Sequence, residues 1–307
     1  MTSPTMTRRL SVAAVAVTYL QLILGGVVRI TGSGMGCGDH WPKCNGSWIP
    51  PFDQPTVMIE WTHRLMALLV ILSVGALAWS ARRAGKDDRA RRVARSAVTG
   101  VVLVVSVALL GMVTVKLGNS ALATVGHWTL AMALLGVLLA TAVRAGALGG
   151  ESAAAQGGTA RSARSIGAGA ALAFAIVILG GLVAKTAGAA AACPAFPLCG
   201  ETPAGIAAGA AHLQLTHRAL AFVLLFHVLA ITLAARRRAG ESVVVKQATA
   251  VASGLVVLQV SVGAAMIWMV MPMSLRMAHQ AIGVAVWMVV FLAAYLAKTA
   301  ADGAPKP

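Results

Sequence analysis

This chain contains eight long apolar runs, and few protein folds can accommodate them. They lie at about residues 10–30, 61–81, 97–116, 122–144, 166–186, 211–235, 247–270 and 274–298. A helix needs about 20 mostly apolar residues to cross a membrane, whereas a membrane-spanning strand alternates apolar and polar residues. The runs therefore predict eight transmembrane helices, with little chain left over for a soluble domain.

The composition agrees with this setting and excludes a soluble globule. Hydrophobic residues make up 58% of the chain and charged residues 11%, with a mean hydropathy of +0.81. A net charge of +16 would favour nucleic acid as the partner of a soluble protein, but most of the basic residues here lie at the ends of the apolar runs. We therefore expect membrane lipid, and no nucleic acid, around the chain.

The basic residues also predict the topology. They precede the first run and follow the second, fourth, sixth and eighth runs. The positive-inside rule then places both termini and these loops in the cytoplasm, and the cysteine-bearing loops outside. We expect the first run to be retained as a span rather than cleaved as a signal peptide. Short termini without a transit peptide favour the plasma membrane of a bacterium.

Four cysteines form two close pairs in the loops predicted to face outward. Because that side is oxidising, we expect the disulfides Cys37–Cys44 and Cys193–Cys199. The spacing is too wide for a thioredoxin-type motif, and no histidines stand at the spacing of a structural zinc site. Stapling of the loops and a redox role both stay open.

The second half of the chain repeats the first at an offset of about 155 residues. The matching positions are Leu24-Gly25-Gly26 and Leu179-Gly180-Gly181, Thr31 and Thr186, Cys44 and Cys199, and His63-Arg64 and His217-Arg218. Four spans return the chain to its starting side, so the two copies share one orientation. The fold predicted is an all-α integral membrane protein, with eight transmembrane helices in two tandem four-helix bundles that form a parallel internal repeat.

The boundary between the predicted halves falls in a segment rich in Gly, Ser and Ala. We assign residues 1–150 to an N-terminal half, residues 151–165 to a cytoplasmic linker and residues 166–307 to a C-terminal half. Such a composition is typical of a flexible connection.

Four of the seven histidines occupy repeated positions near the predicted outer ends of even-numbered spans. These paired histidines are His63, His127, His217 and His279. Ionisable residues inside spans are costly, and two imidazoles from two helices are typical axial ligands of a haem iron. The pattern predicts two haem-sized sites, one in each half. The alternative is a set of core histidines bonded to backbone carbonyls. His40, His212 and His227 do not share the pattern and receive no ligand role.

One carboxylate distinguishes the two predicted sites. Among nine acidic residues, only Glu60 lies beside a proposed ligand, since it shares a helix face with His63 at a spacing of three residues. The matching position in the second half is Gln214. This difference predicts proton chemistry at the first site and a holding role for the second. The alternatives are that Glu60 complements the helix N-terminus or pairs with Arg64.

Four arginines near the predicted outer interface are candidates for contacts with haem propionates. They are Arg29, Arg64, Arg218 and Arg276. A guanidinium suits a carboxylate because it donates two parallel hydrogen bonds. The alternative is anchoring of the spans at the interface by long basic side chains.

These features together carry a family resemblance. They are the segment Gly25-Gly26-Val27-Val28-Arg29-Ile30-Thr31-Gly32-Ser33-Gly34, the cysteine pairs, Glu60-Trp61-Thr62-His63-Arg64, and the single histidines in spans four and eight. In this order the chain resembles the haem A synthase family over nearly its whole length. The resemblance implies an oxidoreductase that converts the C8 methyl group of haem O to a formyl group, making haem A for terminal oxidases.

The resemblance also implies a division of roles. Glu60, His63 and His127 would serve the substrate haem, whereas His217 and His279 would hold a haem b cofactor. Two hydroxylations would leave a geminal diol whose dehydration gives the aldehyde, and we expect Glu60 to act as the acid or base. The expected partners are haem O, an electron donor that the sequence does not identify, and a haem O synthase.

The second half differs from the first at two points, and two alternative functions stay open. The second-half loop lacks the preceding glycine-rich segment, and Ala184 stands where the first half has Arg29. Members of the family that this chain resembles do not all keep four cysteines, so a catalytic role for the cysteines stays open. A di-haem b-type cytochrome that only transfers electrons would use the same histidines. A transporter built from repeats is a further rival, but the spans lack the paired charges common at transport sites.

Overall fold

The structure is a computed structural model, and it describes residues 3–155 and 157–303. The ends of the two predicted halves, residues 1–2 and 304–307, and residue 156 of the predicted linker lie outside this description. Within the described residues, the regular secondary structure is helical. The helices are α1 (Pro4–Ile30), α2 (Pro55–Arg83), α3 (Asp88–Lys116), α4 (Ala121–Arg144), α5 (Gly150–Ala154), α6 (Ala160–Lys185), α7 (Ala208–Arg237), α8 (Val243–Trp268) and α9 (Met273–Asp302).

Eight of these helices are long and apolar enough to cross a membrane, all except the short α5. The all-α fold with eight spans is therefore confirmed, and the chain is a multi-pass membrane protein. Several helices extend beyond the predicted runs; α2, for example, begins at Pro55 rather than near residue 61. The N-terminal turns of α1 and α3 carry the polar or charged residues Arg8, Arg9, Asp88 and Arg89, because the ends of a span leave the hydrocarbon layer.

Local capping explains where several helices begin and end. The side chains of Ser3, Asp87 and Thr159 accept hydrogen bonds from the first turns of α1, α3 and α6, which satisfies backbone donors that have no partner within the helix. Proline stands in the first turn of α1 and α2, where its missing N–H costs nothing. Arg82 and Arg83 end α2, where positive charge complements the helix dipole.

The first compact unit is a ring of four helices. Helix α1 packs on α2, α2 on α3, α3 on α4, and α4 back on α1, so α2 and α4 lie diagonally across the ring. Val74, Leu77 and Leu138 are fully buried in its core. Hydroxyl pairs also join the helices, for instance Thr7 with Ser80 at 2.9 Å. Such pairs satisfy polar groups that lipid cannot.

The second compact unit is built in the same order. Helix α6 packs on α7, α7 on α8, α8 on α9, and α9 on α6, with α5 against α8 and α9. The aromatic rings of Phe174, Trp287 and Phe291 pack together in this unit. Tyr295 donates a hydrogen bond of 2.7 Å to Glu151 and so ties α5 to α9. Helices α7 and α9 therefore lie diagonally across this ring.

The chain divides between Ala147 and Leu148. Helix α5 and the first turns of α6 lie within the segment predicted as a linker. The order of helix packing is the one that a parallel repeat requires, although the repeat itself stays a prediction. The assignment of a substrate half and a cofactor half also stays a prediction.

Candidate functional site

The two histidines of each pair lie on helices that are diagonal in their ring. His63 is on α2 and His127 on α4, and His217 is on α7 and His279 on α9. Each pair thus spans the diagonal of one four-helix ring. Facing imidazoles on diagonal helices can bind a flat group from both sides, as axial haem ligands do.

The paired histidines are only partly exposed, and each has one ring edge packed into the protein. Among the described residues, no group of three or more His, Cys, Asp or Glu side chains is placed to hold a metal ion. A metal held by four protein ligands therefore does not fit these rings. A haem iron fits, because its macrocycle supplies four ligands and the protein needs to supply only two.

His127 has a defined tautomer. Its Nδ1 lies 2.9 Å from the backbone carbonyl of Val107 on α3. Since a carbonyl can only accept, Nδ1 carries the proton and the neutral ring keeps an unprotonated Nε2. This is the form in which histidine coordinates iron, with the other nitrogen donating to a backbone carbonyl.

Two glutamines that the sequence analysis did not single out contact the histidine pairs. The side-chain nitrogen of Gln21 on α1 lies 3.1 Å from Nδ1 of His63 and donates to the His63 carbonyl, also at 3.1 Å. The side-chain nitrogen of Gln259 on α8 lies 3.2 Å from Nε2 of His279. Each unit thus has one histidine beside an amide. The sequence signal that could have identified each glutamine is that it is a polar residue inside an apolar span.

Both predicted cysteine pairs lie at disulfide-bonding distance. The sulfur atoms of Cys37 and Cys44 are 1.94 Å apart, and those of Cys193 and Cys199 are 2.00 Å apart. Cys37, Cys44 and Cys193 are buried. Each pair closes a short loop that follows the first membrane-spanning helix of its unit, α1 or α6, and leads to the helix with the Thr-His-Arg sequence.

Glu60 joins the first of these loops to α2. One carboxylate oxygen accepts from the backbone N–H of Cys37 at 2.9 Å, and the other pairs with Arg64 at 2.6 Å. The residue is only 3% exposed. The carboxylate is therefore held by a backbone donor and a guanidinium, one turn before His63 on the same helix.

Gln214 makes the corresponding contact in the second unit. Its side-chain oxygen accepts from the backbone N–H of Cys193 at 2.8 Å, and its nitrogen donates to the carbonyl of Ala190 at 3.2 Å. The residue is 5% exposed. The two units thus hold the first cysteine of each loop in the same way, one with a carboxylate and one with an amide.

The arginines of the two Thr-His-Arg sequences bind loop carbonyls. Arg64 donates to the carbonyls of His40 and Lys43 at 2.7 and 2.8 Å. Arg218, which is 8% exposed, donates to those of Cys193 and Leu198 at 2.6 and 2.9 Å. Such fixed donors order a loop of irregular backbone. Binding of haem propionates by these guanidinium groups stays a prediction.

The other predicted arginines lie at helix ends. Arg29 is in the last turn of α1, and Arg276 is in the first turn of α9. His40 is in the first cysteine loop, 3.7 Å from Asp39. His227 lies on α7, where its Nε2 binds the backbone carbonyl of Ser165 at 2.9 Å. That contact occupies the nitrogen that would otherwise be free for a metal.

The sequence matches a known family over most of its length. Residues 8–291 match the family described as cytochrome oxidase assembly protein. The chain is 28% identical to a protein of Geobacillus kaustophilus named "Heme A synthase" over 273 residues, which is 87% of this chain and 84% of that protein. It is 34% identical to a protein of the same name from Shouchella clausii, over 71% of this chain and 72% of that protein.

A shorter match links the chain to a protein with another name. Over 73 residues it is 49% identical to a protein of Thermus thermophilus named "Protoheme IX farnesyltransferase". This segment is 24% of this chain and 12% of that protein.

Proposed function

The chain belongs to the cytochrome oxidase assembly protein family, and from this premise we propose that it is a haem A synthase. This enzyme is an oxidoreductase that converts the C8 methyl group of haem O to the formyl group of haem A. One observation carries the proposal: each unit has two histidines on diagonal helices, but only the first unit has a carboxylate one turn before a histidine. Two haem sites of unequal chemistry are what such a reaction needs.

The second unit is the proposed cofactor site. His217 and His279 would hold haem b, and Gln214 supplies no acid beside them. When bound, haem b would pass electrons between the substrate haem and a donor. The residues of this unit bind and orient the group, and the disulfide loop is fixed above α7 by Gln214 and Arg218.

The first unit is the proposed substrate site. His63 and His127 would bind the iron of haem O, and Val107 keeps His127 in the tautomer that leaves Nε2 available. Two successive hydroxylations, each a two-electron oxidation that needs an external oxygen source and electron exchange through haem b, would leave a geminal diol on the C8 methyl carbon. Glu60 would take a proton from one diol hydroxyl or return one to the departing hydroxyl, so that water leaves and the carbonyl forms.

The proposed setting is the plasma membrane of a bacterium, with both termini cytoplasmic and both cysteine loops outside. The distribution of basic residues supports this orientation. A haem O synthase is the proposed source of substrate. The likeness of one segment to a protein named for farnesyl transfer to protohaem IX supports that partner.

The test is to express the chain with a source of haem O in a host that makes no haem A, and to separate the extracted haems by chromatography. We expect haem A in the cells and haem b in the purified protein, the latter measured by pyridine haemochrome. Haem b without any haem A would instead identify a di-haem cytochrome. A colourless, folded protein that takes up no haem would contradict both.

A further inference from the structure

Each paired histidine packs against a glycine in the neighbouring helix. These seat glycines are Gly25 on α1, Gly111 on α3, Gly180 on α6 and Gly263 on α8, opposite His63, His127, His217 and His279 respectively. A Cβ atom built on any of the four would lie only 3.0–3.2 Å from Cε1 of the histidine ring. Such separations are tighter than ordinary van der Waals contact. A residue larger than glycine at any of these four positions would therefore displace the histidine ring.

Beside each seat glycine lies the backbone carbonyl one turn earlier in the same helix. For Gly111 this is the carbonyl of Val107, which accepts from His127. For Gly180 and Gly263 the residues one turn earlier are Ile176 and Gln259. Nδ1 of His217 and Nδ1 of His279 lie 3.6 and 3.5 Å from the Cβ positions built on these glycines, without a hydrogen-bond partner among the described residues. At Gly25 the preceding turn carries Gln21, whose side-chain amide contacts His63.

The missing side chain explains why a ring can reach this carbonyl. In a helix, the side chain of residue i lies beside the carbonyl of residue i−4, which is why serine and threonine hydroxyls bind it. Where residue i is glycine, that carbonyl is open to a group from another helix. Glycine is among the least favourable residues in a helix interior, so four of them opposite four histidines call for a specific role.

We propose that Gly25, Gly111, Gly180 and Gly263 are positioning residues that set the depth and rotation of the four paired histidine rings. Each glycine lets the Cε1 edge of its ring approach the neighbouring helix, with Nδ1 directed toward the turn before the glycine. For His127 and His217 this leaves Nε2 to face the space between the diagonal helices, whereas in His63 and His279 Nε2 also lies 3.4 and 3.2 Å from the side-chain nitrogens of Gln21 and Gln259. The role of these rings as haem ligands rests on the proposed function, whereas the packing itself does not.

His227 provides an internal contrast. It packs on Gly169 of α6 and reaches the carbonyl of Ser165, again one turn earlier. Here, however, the Cδ2 edge lies against the glycine, 3.2 Å from where a Cβ atom on Gly169 would lie, and Nε2 binds the carbonyl. A glycine thus also holds the ring of His227, but the ring is rotated so that Nε2 binds a backbone carbonyl and is not available to an iron.

The first experiment compares alanine substitutions within single helices of the full-length protein. Gly180→Ala and Gly263→Ala are the test variants. Gly167→Ala on α6 and Gly254→Ala on α8 are matched controls, because a Cβ at either meets no atom within 4 Å. Apoprotein is titrated with haem b, and the bound haem is examined by electron paramagnetic resonance.

We expect the two test variants to bind haem b about 10–100-fold more weakly than the controls, as when a partner that orients a metal ligand is lost. The low-spin signal of the haem that remains should shift, because its imidazole planes are rotated. Gly169→Ala should leave that signal unchanged even if it lowers stability. Test variants with the affinity and signal of the controls would overturn the proposal.

A second measurement keeps the proposal testable if a variant folds poorly or if no haem binds at all. Thermal unfolding of apoprotein is compared for Gly263→Ala, His279→Ala and the double variant. If the added methyl group collides with the ring, Gly263→Ala lowers the unfolding temperature in the presence of His279 and has little effect in its absence. Equal effects in both backgrounds would show that the ring is not seated on this glycine. Failure of the parent to bind haem would refute the proposed function but not this packing.

Discussion

The two cysteine loops are held by the same contact but with different chemistry. In the first unit the carboxylate of Glu60 accepts from the backbone N–H of Cys37 at 2.9 Å; in the second the amide of Gln214 accepts from that of Cys193 at 2.8 Å. Both side chains are almost fully buried. The second unit therefore demonstrates that a neutral amide is sufficient to hold such a loop.

The neighbouring arginines extend this comparison. Arg64 has the carboxylate of Glu60 as a partner at 2.6 Å, whereas the hydrogen bonds of Arg218 to described residues go to neutral carbonyl oxygens, including those of Cys193 and Leu198. Arg218 is thus satisfied without any carboxylate. Neither the loop contact nor the arginine requires an acid at this position, which supports the proposed acid or base role of Glu60.

The largest expected effect comes from removing histidines one unit at a time. His217→Ala or His279→Ala should lower haem b content at least about tenfold and abolish haem A formation, because an axial ligand is lost. His63→Ala or His127→Ala should abolish haem A formation but leave haem b bound. Haem content per protein, measured after purification, separates the two outcomes.

His227→Ala is the matched control for His217→Ala, since both residues lie on α7 and His227 binds a backbone carbonyl. It should keep haem b and the capacity to form haem A. Equal loss of haem b from variants of either unit would contradict the proposed difference between the units. It would mean that the first unit is not the substrate site and the second is not the cofactor site.

The next effect comes from exchanging the carboxylate and the amide. Glu60→Gln gives the first unit the side chain that Gln214 provides in the second, and it keeps an acceptor for the N–H of Cys37. We expect haem A formation to fall about 10²–10⁴-fold, the usual contribution of a general acid or base. Stability should change by no more than about 2 kcal/mol, because only the pair with Arg64 is weakened.

Gln214→Glu is the reciprocal control and should alter haem A formation little, since the second unit holds the cofactor. Both variants are assayed for haem A by chromatography and for stability by thermal unfolding. Normal conversion of haem O by Glu60→Gln would remove the assigned role of Glu60 and leave the asymmetry between the units unexplained.

The sequence predicted the eight spans because continuous apolar runs have few other solutions in a protein of this composition. It also predicted the pairs of histidines and cysteines and the contrast between Glu60 and Gln214, because a repeat shows directly which positions match. The positions of the helix ends were less accurate, as at Pro55. Proline in the first turn of α2 and the caps of α1, α3 and α6 mark where these helices begin, and a hydropathy pattern does not register them.

The contacts between helices were not predictable in the same way. A span is apolar on the face toward lipid and on the face toward its neighbours, so hydropathy does not define its rotation. Gln21, Gln259 and the seat glycines were missed for this reason. A signal for the glycines was present, since Gly111 and Gly263 recur at the same offset as the histidines they contact, His127 and His279. The carbonyl contacts of Arg64 depend on loop conformation, for which the sequence offered no such signal.

The smallest expected effect distinguishes the two disulfides. Cys37→Ser with Cys44→Ser, and Cys193→Ser with Cys199→Ser, should each lower the free energy of unfolding by about 2 kcal/mol, since both bonds close loops of similar length. Because the N–H of Cys37 binds Glu60, loss of the first bond should also lower haem A formation several-fold. Loss of the second should affect haem b retention more than turnover. Urea unfolding measures the free energy of unfolding, and haem extraction measures the haem A formed and the haem b retained. If both pairs lowered turnover equally at unchanged haem b content, the loops would share a role that the contrast between Glu60 and Gln214 does not explain.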